Sequence, residues 1–150
     1  MKFSKICIAS DHAGYDLKEK IKDYLIKKNI PIIDLGPFSA DSVNYPDYAK
    51  KVAKRVVLKK SDAGILVCGS GTGMAMTANK FKGIRAAQCY SKNSTILSRQ
   101  HNNANVICLG SRMIKNKEAY NYLRYFFNTK FEGGRHQKRV KKINIWINKI

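Results

Sequence analysis

Cys68 ends a short apolar run, Gly64-Ile65-Leu66-Val67-Cys68, and a loop with glycine at every second position, Gly69-Ser70-Gly71-Thr72-Gly73, follows at once. The run reads as a buried strand. Glycine removes the side chains that would keep backbone N–H groups away from a bound anion, so the loop can cradle one. A sulfur able to act as base or nucleophile therefore stands beside a set of donors. Proton abstraction next to a carbonyl needs both: a base, and donors for the oxyanion that develops. A helix starting just after the loop favours thiolate at Cys68. A strand-end cysteine with no chemistry is the plainer alternative.

Three further groups of residues are suited to chemistry. Asp11-His12 precedes Ala13-Gly14 after the first strand pattern. The pair fits either acid–base work with a phosphate contact, or a helix cap beside a surface histidine. His101, in Ser98-Arg99-Gln100-His101-Asn102, stands at the end of a helical stretch. It is either a cap or surface residue, or a carrier of protons between sugar oxygens, for which an imidazole has a suitable pKa. Arg135 and Arg139 are four apart and share one helix face, with His136 beside them and Gly133-Gly134 allowing close approach. Two guanidinium groups so placed can clamp a phosphate dianion; a solvated basic face is the alternative.

Other glycine-loop chemistries do not fit. A dinucleotide site needs Gly-x-Gly-x-x-Gly after the first strand, whereas Gly69-x-Gly71-x-Gly73 follows the third. No Gly-Lys-Ser/Thr follows for a nucleoside triphosphate.

The elements that must hold these residues alternate. Strands are expected at residues 4–10, 32–35, 62–68, 84–89 and 105–109. Helices are expected at 15–28, 46–59, 74–80, 91–102 and 116–129, with a last one from 135 to 146 or beyond. Pro46 suits the first turn of its helix, and Ser91 suits a cap. Such alternation predicts an α/β fold: a Rossmann-like three-layer sandwich with a five-stranded parallel sheet, as one domain over residues 1–150. Ligands of such sheets lie beyond the carboxyl ends of the strands. Asp11-His12, Cys68 to Gly73 and Gly110-Ser111-Arg112 stand there. The last helix carries Val140, Ile143, Ile147 and Ile150 on one stripe, with Trp146 nearby. That stripe docks on its own domain or on a second subunit; the latter is the expectation.

The 150 residues suffice for one core, and a hydrophobic content of 44% fits a globular protein. No apolar run reaches the roughly 18–20 residues of a membrane span, and the first residues do not resemble a signal peptide. A cytoplasmic protein is expected. The four cysteines form no Cys-x-x-Cys pair, which argues against a zinc knuckle and a disulfide framework. The net charge of +19 is spread along the chain without a compact basic block, so no nucleic-acid partner is expected. A positive field that attracts anionic sugar phosphates is the better use of it.

Taken together, the segments resemble the ribose-5-phosphate isomerase B family, which includes the galactose-6-phosphate isomerase subunits. The matching pieces are Ser10-Asp11-His12-Ala13-Gly14, Tyr45-Pro46-Asp47-Tyr48-Ala49, Cys68 to Gly73, Ala78-Asn79-Lys80, Ser98 to Asn102, Gly110-Ser111-Arg112 and Glu132 to Arg139. They run the length of the chain in family order and spacing. The resemblance implies interconversion of D-ribose 5-phosphate and D-ribulose 5-phosphate, a step of the non-oxidative pentose phosphate pathway, through a cis-enediolate. It gives Cys68 the role of base between C1 and C2, and His101, assisted by Asp11, the opening of the furanose ring. It makes Asp11, His12, Gly69, Ser70, Gly71, Thr72, Gly73, Asn102, Arg112, Arg135 and Arg139 substrate contacts. Another branch of the family places a glutamate directly after the loop; Met74 stands there in this chain, so the base role stays with Cys68. Homodimers or homotetramers with sites shared between subunits are implied, and neither a metal nor an organic cofactor. The alternatives are an isomerase of a six-carbon aldose phosphate and, remotely, a basic nucleic-acid-binding module.

Overall fold

The computed structural model describes residues 3–146, with side chains of the final helix described as far as Ile143. Five parallel strands run β1 (Ile6–Ser10), β2 (Ile32–Asp34), β3 (Ala63–Cys68), β4 (Ala86–Gln88) and β5 (Val106–Gly110), in the spatial order β2-β1-β3-β5-β4. Helices α1 (Tyr15–Lys27), α2 (Tyr45–Val57), α3 (Thr72–Ala78), α4 (Lys92–Gln100) and α5 (Asn116–Asn128) connect or follow them, and α6 (Gly134–Trp146) comes last. This is the α/β architecture the alternation predicts.

β1, β3 and β5 are buried along their whole length, because helices cover both faces. Ile6, Ile8, Ile65, Val67, Ile107 and Leu109 pack with α1 and α5 on one side. Cys7, Ala9, Leu66, Cys68 and Cys108 pack with α2 and α3 on the other. The strand order reverses between β1 and β3. At that point the loops after the two strands diverge and leave a crevice.

Some boundaries differ from the sequence expectation, each for a local reason. β1 starts two residues later, because the Asp62 carboxylate accepts the Ser4 and Lys5 N–H groups at 2.9 and 3.0 Å and holds that approach to the strand. β4 is cut to three residues: the Arg85 N–H donates to the Asn105 side chain at 2.8 Å instead of joining a ladder. α3 begins at Thr72 rather than 74, because Gly71 takes a left-handed φ of +84° and turns the chain directly into the helix. Ser91 does cap α4, accepting the Ser94 N–H at 3.1 Å. Of the apolar stripe on α6, Val140 is buried and Ile143 is 42% exposed. Ile147, Ile150 and the Trp146 side chain lie outside the described residues.

One close approach fixes the crevice. The Asp11 N–H donates to the Val67 carbonyl at 3.1 Å, drawing the turn after β1 against the end of β3. A Cβ on Gly14 would stand 2.4 Å from that same carbonyl oxygen, which is backbone and cannot step aside. Gly14→Ala is therefore expected to destabilise the fold by about 1–3 kcal/mol, the usual cost of overpacking, measured by urea unfolding; an unchanged midpoint would contradict the packing described.

Candidate active site

Cys68, the last residue of β3, is 5% exposed and opens onto a cavity of about 330 Å³. Asp11, His12, Ala13, Tyr45, Gly69, Ser70, Gly73, Arg112 and Met113 complete its wall. The crevice at the strand-order reversal thus holds the cysteine, the Asp-His pair, the glycine loop and one arginine.

The loop serves the sulfur first. The Gly71 N–H donates to Cys68 Sγ at 3.0 Å, and the Thr72 N–H donates to the Ser70 hydroxyl at 3.2 Å. The N–H groups of Ser70 and Gly73 have no partner among the described residues and are left for an incoming oxygen. Gln88 of β4 fixes the far side of the loop, its side-chain amide donating to the Ser70 carbonyl and to Thr72 Oγ1, each at 2.9 Å. Thr72 is therefore held by the protein as part of the loop's frame.

Neighbouring loops lock together around the cysteine. The Ser111 N–H donates to the Cys68 carbonyl at 2.8 Å and the Arg112 N–H to the Gly69 carbonyl at 3.0 Å. The Ser111 hydroxyl donates to the Ala13 carbonyl at 2.7 Å, tying the end of β5 to the turn after β1. The Arg112 guanidinium lies over Gly69, where an added Cβ would be 3.3 Å from its nitrogen. Asp11 has two tasks. Its Oδ1 accepts the Gly14 N–H at 2.9 Å, closing the turn before α1 rather than capping the helix, and the residue also lines the cavity. His12 Nδ1 accepts the Val43 N–H at 3.3 Å, so its remaining proton sits on Nε2, a donor available to a ligand.

Tyr45 is the wall residue whose role the sequence left unassigned. Its ring covers Gly73, where a Cβ would be 2.8 Å from it. The signal was Pro46, which stands in the first turn of α2 and marks Tyr45 as the residue where the helix begins.

His101, Asn102, Arg135 and Arg139 do not line this cavity. His101 caps the end of α4 and stacks on His136, ring centroids 4.2 Å apart. Nearby, Arg99 anchors α4: its buried guanidinium lies between the rings of Phe3 and Phe126 and donates to Asn103 and the Ala104 carbonyl. Burial, with help from the Arg85 charge, pushes it down to about 10. Asn102 sits in a separate hollow with Arg85, Ser98 and Ile143. Arg135 and Arg139 form, with Lys138 and Lys142, an exposed basic face of α6. The sequence-nominated residues thus fall into two groups: a cysteine half and a histidine–arginine half.

Donor atoms of His101, Glu132 and His136 lie within 4.8 Å of one another, the distance range of a metal cluster. The ring planes are within 6° of parallel. Nitrogen lone pairs lie in their ring planes, so one cation cannot meet both histidines head-on without breaking the stack. A hollow of about 360 Å³ on the α1–α5 flank is lined by Tyr24, Leu25, Lys28, Leu123, Arg124 and Phe127 among others, away from the residues the sequence nominates. Among the described residues no helix is long and apolar enough to cross a membrane.

Comparisons with known proteins agree with this fold. The family model described as Ribose/Galactose Isomerase matches residues 6–143. The Escherichia coli ribose-5-phosphate isomerase B is 42% identical over 139 residues, 93% of each chain. The crystal structure of a Thermotoga maritima ribose 5-phosphate isomerase superposes with a TM-score of 0.93 at 48% identity, covering 95% of this chain and 98% of that one. A Mycoplasma genitalium ribose-5-phosphate isomerase B with bound ribulose-5-phosphate gives a TM-score of 0.92 at 44% identity, covering 97% of each.

All four cysteines are buried, and Cys68 alone among them lines the cavity. Burial pushes the Cys7 and Cys89 thiols up and the Cys108 thiol well up, and all three are 0–1% exposed away from the cavity. Iodoacetamide is expected to alkylate the native protein at Cys68 alone, read by peptide mass spectrometry; modification of Cys108 before Cys68 would contradict the site as described.

Proposed function

The chain belongs to the ribose/galactose isomerase family, and we propose that it interconverts D-ribose 5-phosphate and D-ribulose 5-phosphate with Cys68 as the proton carrier. The observation that carries this reading is the sulfur at the end of β3, held by the Gly71 N–H and facing Asp11 and His12 across one cavity. Relatives that bear the name ribose-5-phosphate isomerase B support it, as does the relative solved with ribulose-5-phosphate.

In the proposed reaction the Cys68 thiolate takes the proton from C2 of the open-chain aldose. The C–H electron pair forms the C1–C2 double bond, and the carbonyl oxygen becomes an oxyanion. The free N–H groups of Ser70 and Gly73 stabilise that charge as it develops, and Asp11 moves the proton between the two oxygens. Return of the proton from sulfur to C1 gives the ketose. His12 Nε2–H and Arg112 contact the substrate on the same side of the cavity. His101 opens the furanose, Asn102 contacts the sugar, and Arg135 and Arg139 hold the phosphate as a pair of cations. No step calls for a metal or an organic cofactor, and the cytoplasm is the proposed location.

The division of these residues into two groups leads to the quaternary proposal. A second copy of the chain presents its His101 and its arginine face to the cavity beside Cys68, so each site is built from two subunits. A symmetric pair then carries two equivalent sites.

Cys68→Ala is expected to abolish isomerisation in a coupled assay with ribose 5-phosphate while far-UV circular dichroism is unchanged; near-wild-type turnover would remove the base assignment. Arg139→Ala is expected to raise KM at least tenfold, roughly the value of a charge-assisted phosphate contact. Allose and galactose 6-phosphates in the same assay test the six-carbon alternative, which predicts faster turnover of those sugars. The shared site is tested by mixing two inactive variants, Cys68→Ala and His101→Ala, under conditions that exchange subunits. Sites built from two chains restore about one quarter of wild-type activity, since half of all pairs are mixed and each mixed pair carries one intact site of its two. Sites built within one chain restore none.

A further inference from the structure

His136 is 6% exposed and lies flat on His101, with ring planes within 6° of parallel. Its Nε2 is 3.7 Å from Glu132 Oε2, and the same oxygen is 3.9 Å from His101 Nε2. Glu132 is held where it stands: its N–H donates to the Gln100 carbonyl at 3.1 Å, and Gly133, at a φ of +70°, turns the chain into α6. One carboxylate oxygen therefore serves two imidazoles whose faces touch.

Two imidazolium charges at that separation repel, and one carboxylate cannot neutralise both, so a proton on one ring disfavours a proton on the other. The surroundings decide which ring holds it. Burial pushes His136 below the usual imidazole value, and the charges of His101, Arg135 and Arg139 push it the same way; Glu132 alone opposes them. These are the charged groups that act on the ring among the described residues. The balance disfavours a proton on His136, the more buried of the two rings.

We propose that His136 and Glu132 are positioning residues for ring opening: the flat His136 ring is the platform that fixes the plane of His101, and the Glu132 carboxylate beside both rings favours a proton on His101. The proposal rests on the reading that His101 opens the furanose. In that step the bond from C1 to the ring oxygen breaks, its electron pair goes to that oxygen, and His101 delivers the proton there. The C1 hydroxyl loses its own proton to Asp11 as the carbonyl forms.

The test uses two sugars. Ribose 5-phosphate must be opened, whereas D-erythrose 4-phosphate carries its phosphate on O4 and cannot close a furanose. His136→Ala is expected to lower kcat on ribose 5-phosphate by about tenfold to a hundredfold, as misplacement of a catalytic group does. Turnover of erythrose 4-phosphate should stay within about twofold. His136→Phe, which keeps a flat ring, should recover most of the loss. Glu132→Gln should move to lower pH the limb on which ribose 5-phosphate turnover falls as pH rises. The chain has only three histidines, so their ring resonances can be followed by proton NMR without substrate. His136 should titrate below His101, and Glu132→Gln should lower His101. An equal loss on both sugars, or a His101 titration indifferent to Glu132→Gln, overturns the proposal. A wild-type chain inactive on both sugars overturns the proposed reaction instead, and the titrations then still decide whether the two histidines share one proton.

Discussion

The Val67 carbonyl is the contact on which the site depends. It receives the Asp11 N–H at 3.1 Å, and only the missing side chain of Gly14 allows the turn after β1 to come that close. Without this approach, Asp11-His12 and Cys68 would stand on two divergent loops at the reversal of strand order. With it, they face one cavity. The same device recurs at Gly110, where a Cβ would be 2.6 Å from the Ser70 carbonyl oxygen. Backbone packed against backbone makes the crevice stiff, and a stiff crevice holds donors in place before charge develops.

Charge is arranged differently. The cavity beside Cys68 contributes one arginine and one histidine. The denser positive face, Arg135, Lys138, Arg139 and Lys142, is on α6, outside that cavity and exposed. Guanidinium groups repel one another when no anion is present, so an exposed helix face is a low-cost place to keep them. It also leaves a phosphate's binding energy to be realised when the two faces meet. That coupling of assembly to substrate binding follows from the proposed two-chain site.

The chemistry-bearing residues were legible because their spacing was local. Cys68 and its loop are contiguous, and so are Asp11 and His12. The strand pattern placed all of them at one sheet edge. Less legible were residues whose role arises from long-range contact. Tyr45 looked like the end of a polar loop and proves to be a wall over Gly73. Gln88 looked like an ordinary strand residue and proves to frame the loop. The glycine loop seemed a uniform cradle, yet two of its N–H groups are turned inward, one onto the sulfur itself.

By itself the sequence determined the alternation of strands and helices and the cysteine beside its glycine loop, because hydrophobic period and glycine placement act within a few residues. It also carried the family resemblance, since seven motifs lie in order along one chain. Only the tertiary structure decided which motifs meet. Asp11 reaches Cys68 because β1 and β3 are neighbours with register Ser10 against Val67. His101 is turned away from that cavity and stacked on His136, residues 35 positions apart that helix packing brings face to face. Those distances depend on the path of the backbone through space, which no local pattern encodes.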